Sequence, residues 1–188
     1  MIIKEYHGDH DMPNEELFHL VHTAFEDRVK QGFNFICACF SLETFRSLTH
    51  NSYIFVAHAE HSPLIGTVTL TERVKRGIRC GEHEYLAVLP DYNRKGIATM
   101  LLTALCEKAR KLDLPFIISD TAMYADSSVK WHLRNGFKIL RIKRFGKQNY
   151  YSYQFVKPIK TKSSTIIVML FRRFIFLTSY IIYRIKTI

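Results

Sequence analysis

Two stretches of the chain carry side chains able to do chemistry. In "EHEYLAV", residues 82–88, the alternation of a strand places Glu82, Glu84, Leu86 and Val88 on one face and His83, Tyr85 and Ala87 on the other. Two carboxylates on one face, once desolvated, lift the pKa of one of them toward neutrality, where it can serve as a base. The alternative is a pair of salt-bridged or solvated acids at a strand start. The second stretch, "VLPDYNRKGIATMLL", residues 88–102, ends a strand, breaks at Pro90 and resumes as a helix at Ile97. Between them lie Asn93, Arg94, Lys95 and Gly96. The first amides of a helix have no partner within it and point outward with the positive end of the helix dipole, so such a junction can cradle a phosphate. Gly96 lets backbone approach closely, small Ala98 keeps the first turn open, and Arg94 and Lys95 add full charges. An ordinary β-turn with two solvated cations is the competing explanation.

The elements that must position these residues follow from periodicity. Met1 to His7 alternates as a strand. "DMPNEELFHLVHTAFEDRVKQG" sets Leu17, Leu20, Val21, Ala24 and Phe25 at helical spacing, with Asn14 as N-cap and Gly32 as stop. A shorter helix covers Leu42 to Leu48. A hairpin follows, "SYIFVAHAE" and "LIGTVTLTER", turning at His61, Ser62 and Pro63. The acidic strand then leads through the junction into a helix from Ile97 to Leu112 and a strand "PFIISDTA". Strand, helix and strand make one βαβ unit with a parallel pair. A helix from Ser127 to Arg134 ends at Asn135-Gly136, and two closing strands, Phe137 to Arg144 and Tyr150 to Val156, are joined by "FGKQN".

With 188 residues, 47% of them hydrophobic and 23% charged, the chain fits one globular domain and not a disordered one. Cys37, Cys39, Cys80 and Cys106 lack metal or disulfide spacing and are expected as buried reduced thiols. No secretory signal is evident in the first residues, which makes cytoplasmic the expected location. The net charge of +10 is uneven: Lys157, Lys160, Lys162, Arg172, Arg173, Arg184 and Lys186 carry seven of it with no acid among them. A nearly balanced body therefore argues against a nucleic-acid binder, and no nucleic-acid partner is expected. His19 and His22 stand at i,i+3 without a third ligand, and no metal is expected.

The order of elements, the turn Asn93-Arg94-Lys95-Gly96-Ile97-Ala98 after a strand ending in Val88, and "SSVKWHLRNGF" closing on Gly-Phe together resemble the GNAT superfamily of acyl-CoA-dependent N-acetyltransferases. The family's turn reads Arg/Gln-x-x-Gly-x-Gly/Ala; here Asn93 stands where Arg or Gln is usual. The resemblance covers residues 1–156 and implies an α/β fold with a mixed, mostly antiparallel sheet flanked by helices. It also implies acetyl-CoA as co-substrate. Backbone of Leu86, Ala87 and Val88 would pair with the pantetheine arm. Amides from Arg94, Lys95, Gly96, Ile97, Ala98 and Thr99 would hold the pyrophosphate. A triphosphate P-loop is excluded, since no G-x-x-x-x-G-K-[ST] occurs.

What the resemblance implies for the chemistry is direct attack by a primary amine of a small molecule. The family's base positions, six and four residues before the strand's Val, hold Glu82 and Glu84. Its usual Tyr donor to the leaving thiolate stands four residues before the Gly, where this chain has His132; Tyr124, Tyr150 and Tyr151 are further candidates. The family's Asn near the start of this helix is replaced by Ala125, with Ser127 and Ser128 beside it as polar substitutes. These departures keep a second possibility in view, a non-catalytic CoA-binding module that regulates or tethers a partner.

The remaining residues, 157–188, form a basic, apolar tail. Between Ile166 and Ile185 twelve Ile, Leu, Val and Phe residues favour insertion. They are worth roughly −4 to −7 kcal/mol, against roughly +5 to +7 for Arg172 and Arg173. Spanning is therefore near break-even. As an amphipathic helix the tail fits a membrane interface, or an apolar groove on its own domain or on a second subunit, and peripheral membrane contact and a homodimer contact are the partners it suggests.

Overall fold

A computed structural model of the chain describes residues 1–7, 14–59, 64–146 and 148–159. The tail from residue 160 onward, with its expected helix, lies outside the described residues. In order, the elements are β1 (Ile2–His7), α1 (Asn14–Lys30), α2 (Leu42–Thr49), β2 (Ser52–His58), β3 (Leu64–Lys75), β4 (Ile78–Val88), α3 (Ile97–Lys111), β5 (Phe116–Ala122), α4 (Asp126–Arg134), β6 (Lys138–Lys143) and β7 (Ser152–Pro158). Their strands form a seven-stranded sheet in the order β1-β2-β3-β4-β5-β7-β6. Among the described residues only β4 and β5 run parallel, joined by the α3 crossover, and every other pair is antiparallel. The mixed, mostly antiparallel sheet and its flanking helices agree with the expected fold class.

Each face of the sheet is covered for a reason visible in the helices. Ile97, Leu101, Leu105 and Ala109 recur four residues apart in α3, and they pack with Leu70, Ile117 and Phe155 on one face. Leu101 and Leu105 are fully buried, so truncating either to Ala costs about 2–5 kcal/mol. On the opposite face Leu17, Leu20 and Val21 of α1 and Phe45 of α2 cover Ile54, Val56, Leu64 and Ala87. The start of α2 is fixed by Ser41, whose hydroxyl accepts the Thr44 amide at 3.2 Å. Asn14 makes no such cap: it is the first helical residue of α1, and its side-chain oxygen is buried with no hydrogen-bond partner among the described residues.

β3 and β4 extend beyond the lengths expected from sequence, to Lys75 and back to Ile78, which pair across a two-residue turn. Arg76 and Gly77, with φ of 53° and 76°, give that turn the positive-φ pair whose twist matches a tight hairpin.

The expected face assignment of β4 holds only in part. Thr69 pairs with Glu84 but Thr67 pairs with Ala87, so Val68 faces both Tyr85 and Leu86. This bulge, with Tyr85 at φ 51°, inserts one residue and reverses the alternation beyond it. Tyr85 and Ala87 now pack on the α1 side, and Leu86 and Val88 pack against the α3 side. Glu82 and Glu84 therefore do not share a face with Leu86 and Val88.

Candidate active site

The pairing of β4 with β5 is short: Gly81 opposes Ile117, Glu82 opposes Ile118, and the strands then part. Gly81 is needed at the base of this fork, since a Cβ there would meet Leu70 Cδ1 at 2.6 Å and Ile117 Cγ2 at 2.9 Å. Among the described residues, the β5-facing edge of β4 has no strand partner beyond the fork. A cleft of about 700 Å³ opens between the strands, lined by residues of β4 and β5 with α1 on one face and α4 on the other.

At the end of β4 the chain turns through Pro90–Tyr92, places Arg94 at φ 62° and Gly96 at φ 80°, and enters α3. Among the described residues, the amides of Arg94 through Ala98 donate no backbone hydrogen bond. Donation resumes with Thr99 and Met100, both to the Gly96 carbonyl at 3.0 Å. Arg94, Lys95, Gly96 and Thr99 are exposed, Ala98 half-buried and Ile97 buried beneath them. This is the unpaired cluster of donors that a helix entrance offers an anion. The Lys95 ammonium lies 4.8 Å from the Tyr92 ring centroid. The Trp131 indole N–H donates to Thr99 Oγ1 at 3.3 Å, tying α4 to the entrance of α3.

On the α1 face of the fork stand three carboxylates. Glu82 uses both oxygens on cations, with Arg73 and Lys75 each at 3.2 Å. Glu84 accepts from the Thr71 hydroxyl at 3.2 Å. Burial, reinforced by the charge of Glu82, pushes the Glu84 carboxyl up to about 7. Asp120 follows the same logic: although it still meets water in the cleft, crowding by protein and then the charge of Glu82 push it to about 6. The wall above is aromatic, with Phe35 stacked on Tyr150 at 4.8 Å and Phe25 on Phe35 at 5.5 Å between ring centroids.

The α4 face of the fork carries a different set. Ser119 Oγ lies 2.8 Å from His83 Nδ1 and 3.0 Å from His132 Nε2, and His132 Nδ1 lies 2.8 Å from the Ser128 carbonyl oxygen. All three side chains are buried, at 4% exposure or less. Burial holds both imidazoles well below the usual histidine range, with repulsion between them adding to the effect on His83. Ser128 also accepts from the Thr121 hydroxyl at 2.9 Å, and Ser127 lines the cleft.

The structure thus brings Glu82, Glu84, Leu86, Ala87, Val88, Ser127 and His132 to one cleft, with the Arg94–Thr99 turn at the end of the same strand. Of the other donor candidates, Tyr150 lines the cleft, Tyr124 stacks on Phe33 with centroids 3.7 Å apart, and Tyr151 is exposed. Sequence reasoning missed Asp120, Ser119 and the engagement of His83. A signal for the first two existed: the apolar run Phe116–Ile118 breaks into Ser119, Asp120 and Thr121 at the end of a strand expected to parallel the acidic one. Among the described residues no three His, Cys, Asp or Glu side chains gather as a metal site. None of the described helices is long and apolar enough to cross a membrane.

No curated protein matches this chain in sequence. Solved structures match its fold. An aminoglycoside 6'-acetyltransferase type Ii superposes with a TM-score of 0.66 at 16% identity, covering 86% of this chain and 99% of its own. The ribosomal-protein-S18-alanine N-acetyltransferase of Escherichia coli gives 0.64 at 16% identity, covering 85% and 96%. A chain of the NatC complex bound to Gag peptide and CoA gives 0.63 at 17% identity, covering 85% and 100%. The family model described as acetyltransferase (GNAT) family matches residues 14–137, most of the described body including the fork, the turn and the helix that closes on Gly136-Phe137. The chain is a member of the GNAT acetyltransferase family, an acyl-CoA-dependent N-acyltransferase.

Proposed function

We propose that the enzyme transfers acetyl from acetyl-CoA to a primary amine of a small molecule by direct attack at the β4–β5 fork. The observation that carries this reading is the placement of Glu84, a half-buried carboxyl whose surroundings raise its pKa toward 7, beside the opening of a strand whose far end carries unpaired amides. The pyrophosphate of the coenzyme would rest on the amides of Arg94, Lys95, Gly96, Ile97, Ala98 and Thr99, with the two cations adding charge. The pantetheine arm would lie along the free edge of β4 at Leu86, Ala87 and Val88 as an added strand, with Ser127 offering a hydroxyl from α4. Acetyl-CoA supplies an activated thioester carbonyl.

The amine arrives on the α1 face. With a reference pKa near 10.4 it is free base to only about one part in 10³ at neutral pH, a penalty of roughly 4 kcal/mol. Glu84 takes that proton, and Asp120 offers the ammonium a second carboxylate. Glu82, occupied by Arg73 and Lys75, acts through its charge on these two instead of as the base itself. His132 belongs to the other face, where its Nε2 lies 3.0 Å from Ser119 Oγ, and this pair would stand on the sulfur side of the thioester.

Thiol release from acetyl-CoA against a panel of primary amines tests the reading. Turnover that collapses in Glu84→Gln supports it. Tight coenzyme binding with no turnover on any amine would replace it with a non-catalytic CoA-binding role.

A further inference from the structure

The hydrogen-bond chain on the α4 face joins three buried side chains, of which the amine-transfer reading uses only His132, and the partners fix its direction. The Ser128 carbonyl only accepts, so His132 bears its proton on Nδ1 and presents the Nε2 lone pair to Ser119. Ser119 must then donate its hydroxyl proton to His132 and accept the Nδ1 proton of His83. His83 Nε2 is left as a buried acceptor without a partner in the wall of the cleft. A hydroxyl donating to a neutral imidazole, with that imidazole oriented from behind by a fixed oxygen, is the arrangement that activates a serine nucleophile.

We infer that Ser119 is an acyl-accepting nucleophile that gives the enzyme a second activity, hydrolysis of acyl-CoA through an acyl-serine. The inference rests on the proposal that the thioester occupies the fork. Ser119 Oγ attacks the thioester carbonyl while its proton passes to His132 Nε2, and the His83 N–H steadies the oxygen as that proton leaves. The C–S bond breaks, and the sulfur takes the proton from His132 to depart as the thiol. Water then adds to the serine ester, giving a proton to His132 Nε2. The proton returns to Ser119 Oγ as acetate leaves. No reactant beyond acyl-CoA and water is needed, and the two proton transfers between Ser119 and His132 run through the contact of 3.0 Å already present. The base for amine transfer, Glu84, lies on the opposite face of the sheet, so the two nucleophiles approach the carbonyl from different sides.

The experiment incubates the full chain with acetyl-labelled acetyl-CoA and no amine, follows CoA release, and maps label in acid-quenched peptides. The expected result is CoA release above the buffer rate, with label on Ser119 wherever deacylation is the slower step. Ser119→Ala and His132→Gln should each lower that release by about 10²-fold or more. The near-isosteric Ser119→Cys, which keeps the buried cavity filled, should trap the acetyl group at position 119. Release no faster than buffer with no label, or label confined to lysine or another cysteine, overturns the inference while leaving amine-dependent turnover intact. Absence of acetyl-CoA binding, measured by calorimetry on the same preparation, removes the proposed occupancy of the fork and the inference with it.

Discussion

Asp120 stands level with Glu84, two residues past the last paired positions of β5 and β4 and on the same face of the sheet. Glu84 is pushed up to about 7 by partial burial and Asp120 to about 6 by the protein crowded around it in the open cleft, with the charge of Glu82 adding to both. A base must be deprotonated to act, so kcat/KM for acetyl transfer should fall as pH drops through this range. Glu84→Gln should lower kcat/KM by about 10²- to 10⁴-fold and abolish the acidic limb near 7. Glu82→Gln should retain turnover and move the limb to lower pH, because it removes a negative charge and frees Arg73 and Lys75. An unmoved limb in Glu82→Gln would reject the electrostatic role given to that residue.

The same shift has a consequence for stability, with a definite sign. The folded state holds a proton on Glu84 more tightly than the unfolded chain does, so stability falls as pH rises from 4.5 to about 7. The full cost above that range is on the order of 3 kcal/mol. Glu84→Gln should accordingly raise the midpoint of thermal unfolding at pH 8 and have little effect at pH 4. Equal effects at both pH values would mean that the carboxyl is not desolvated.

His83 and His132 act in the opposite direction. Their folded pKa values, about 3 and about 4, lie below the ordinary 6.5, so the unfolded chain takes up protons first as pH falls. The stability that depends on their neutrality is complete above 6.5 and is lost progressively toward 4 and 3. Between pH 6.5 and 5 each histidine should cost about 1.5 kcal/mol. Denaturant melts of the wild type and His132→Gln across that interval measure the difference; the variant should show the shallower pH dependence.

The parts of this site that depend on local sequence were readable from it. The strand, the turn through Gly96 and the α3 stripe of Ile97, Leu101 and Leu105 are each set by residues within a few positions of one another. What was not readable depends on distant partners. The bulge at Tyr85 and Leu86 exists because β3 supplies one residue, Val68, where β4 supplies two. Glu82 and Glu84 look alike in sequence, but among the described residues it is Glu82 that Arg73 and Lys75 on β3 engage as ion pairs. Ser119 and Asp120 gain their meaning from the parting of β4 and β5, a distance in space that no periodicity within β5 encodes.

Gly96 offers the sharpest test of the coenzyme cradle, because its neighbourhood separates backbone strain from ligand contact. It has φ 80°, and a Cβ there would meet nothing within 4 Å. Gly77, in the hairpin at the opposite end of β4, has φ 76° and equally open space. Replacing either by Ala therefore imposes a similar left-handed strain of about 1–2 kcal/mol and no clash with the protein. Both variants should fold with comparably lowered unfolding midpoints. Only Gly96→Ala places a methyl group among the unpaired amides of Arg94 through Ala98, where close approach of a phosphate depends on bare backbone. Its KM for acetyl-CoA should rise by about tenfold or more, equivalent to the loss of about 1.4 kcal/mol of binding, while Gly77→Ala should keep the wild-type KM. If the two variants shift KM alike, the turn has no special role toward the coenzyme, and its open amides are simply the solvated entrance of α3.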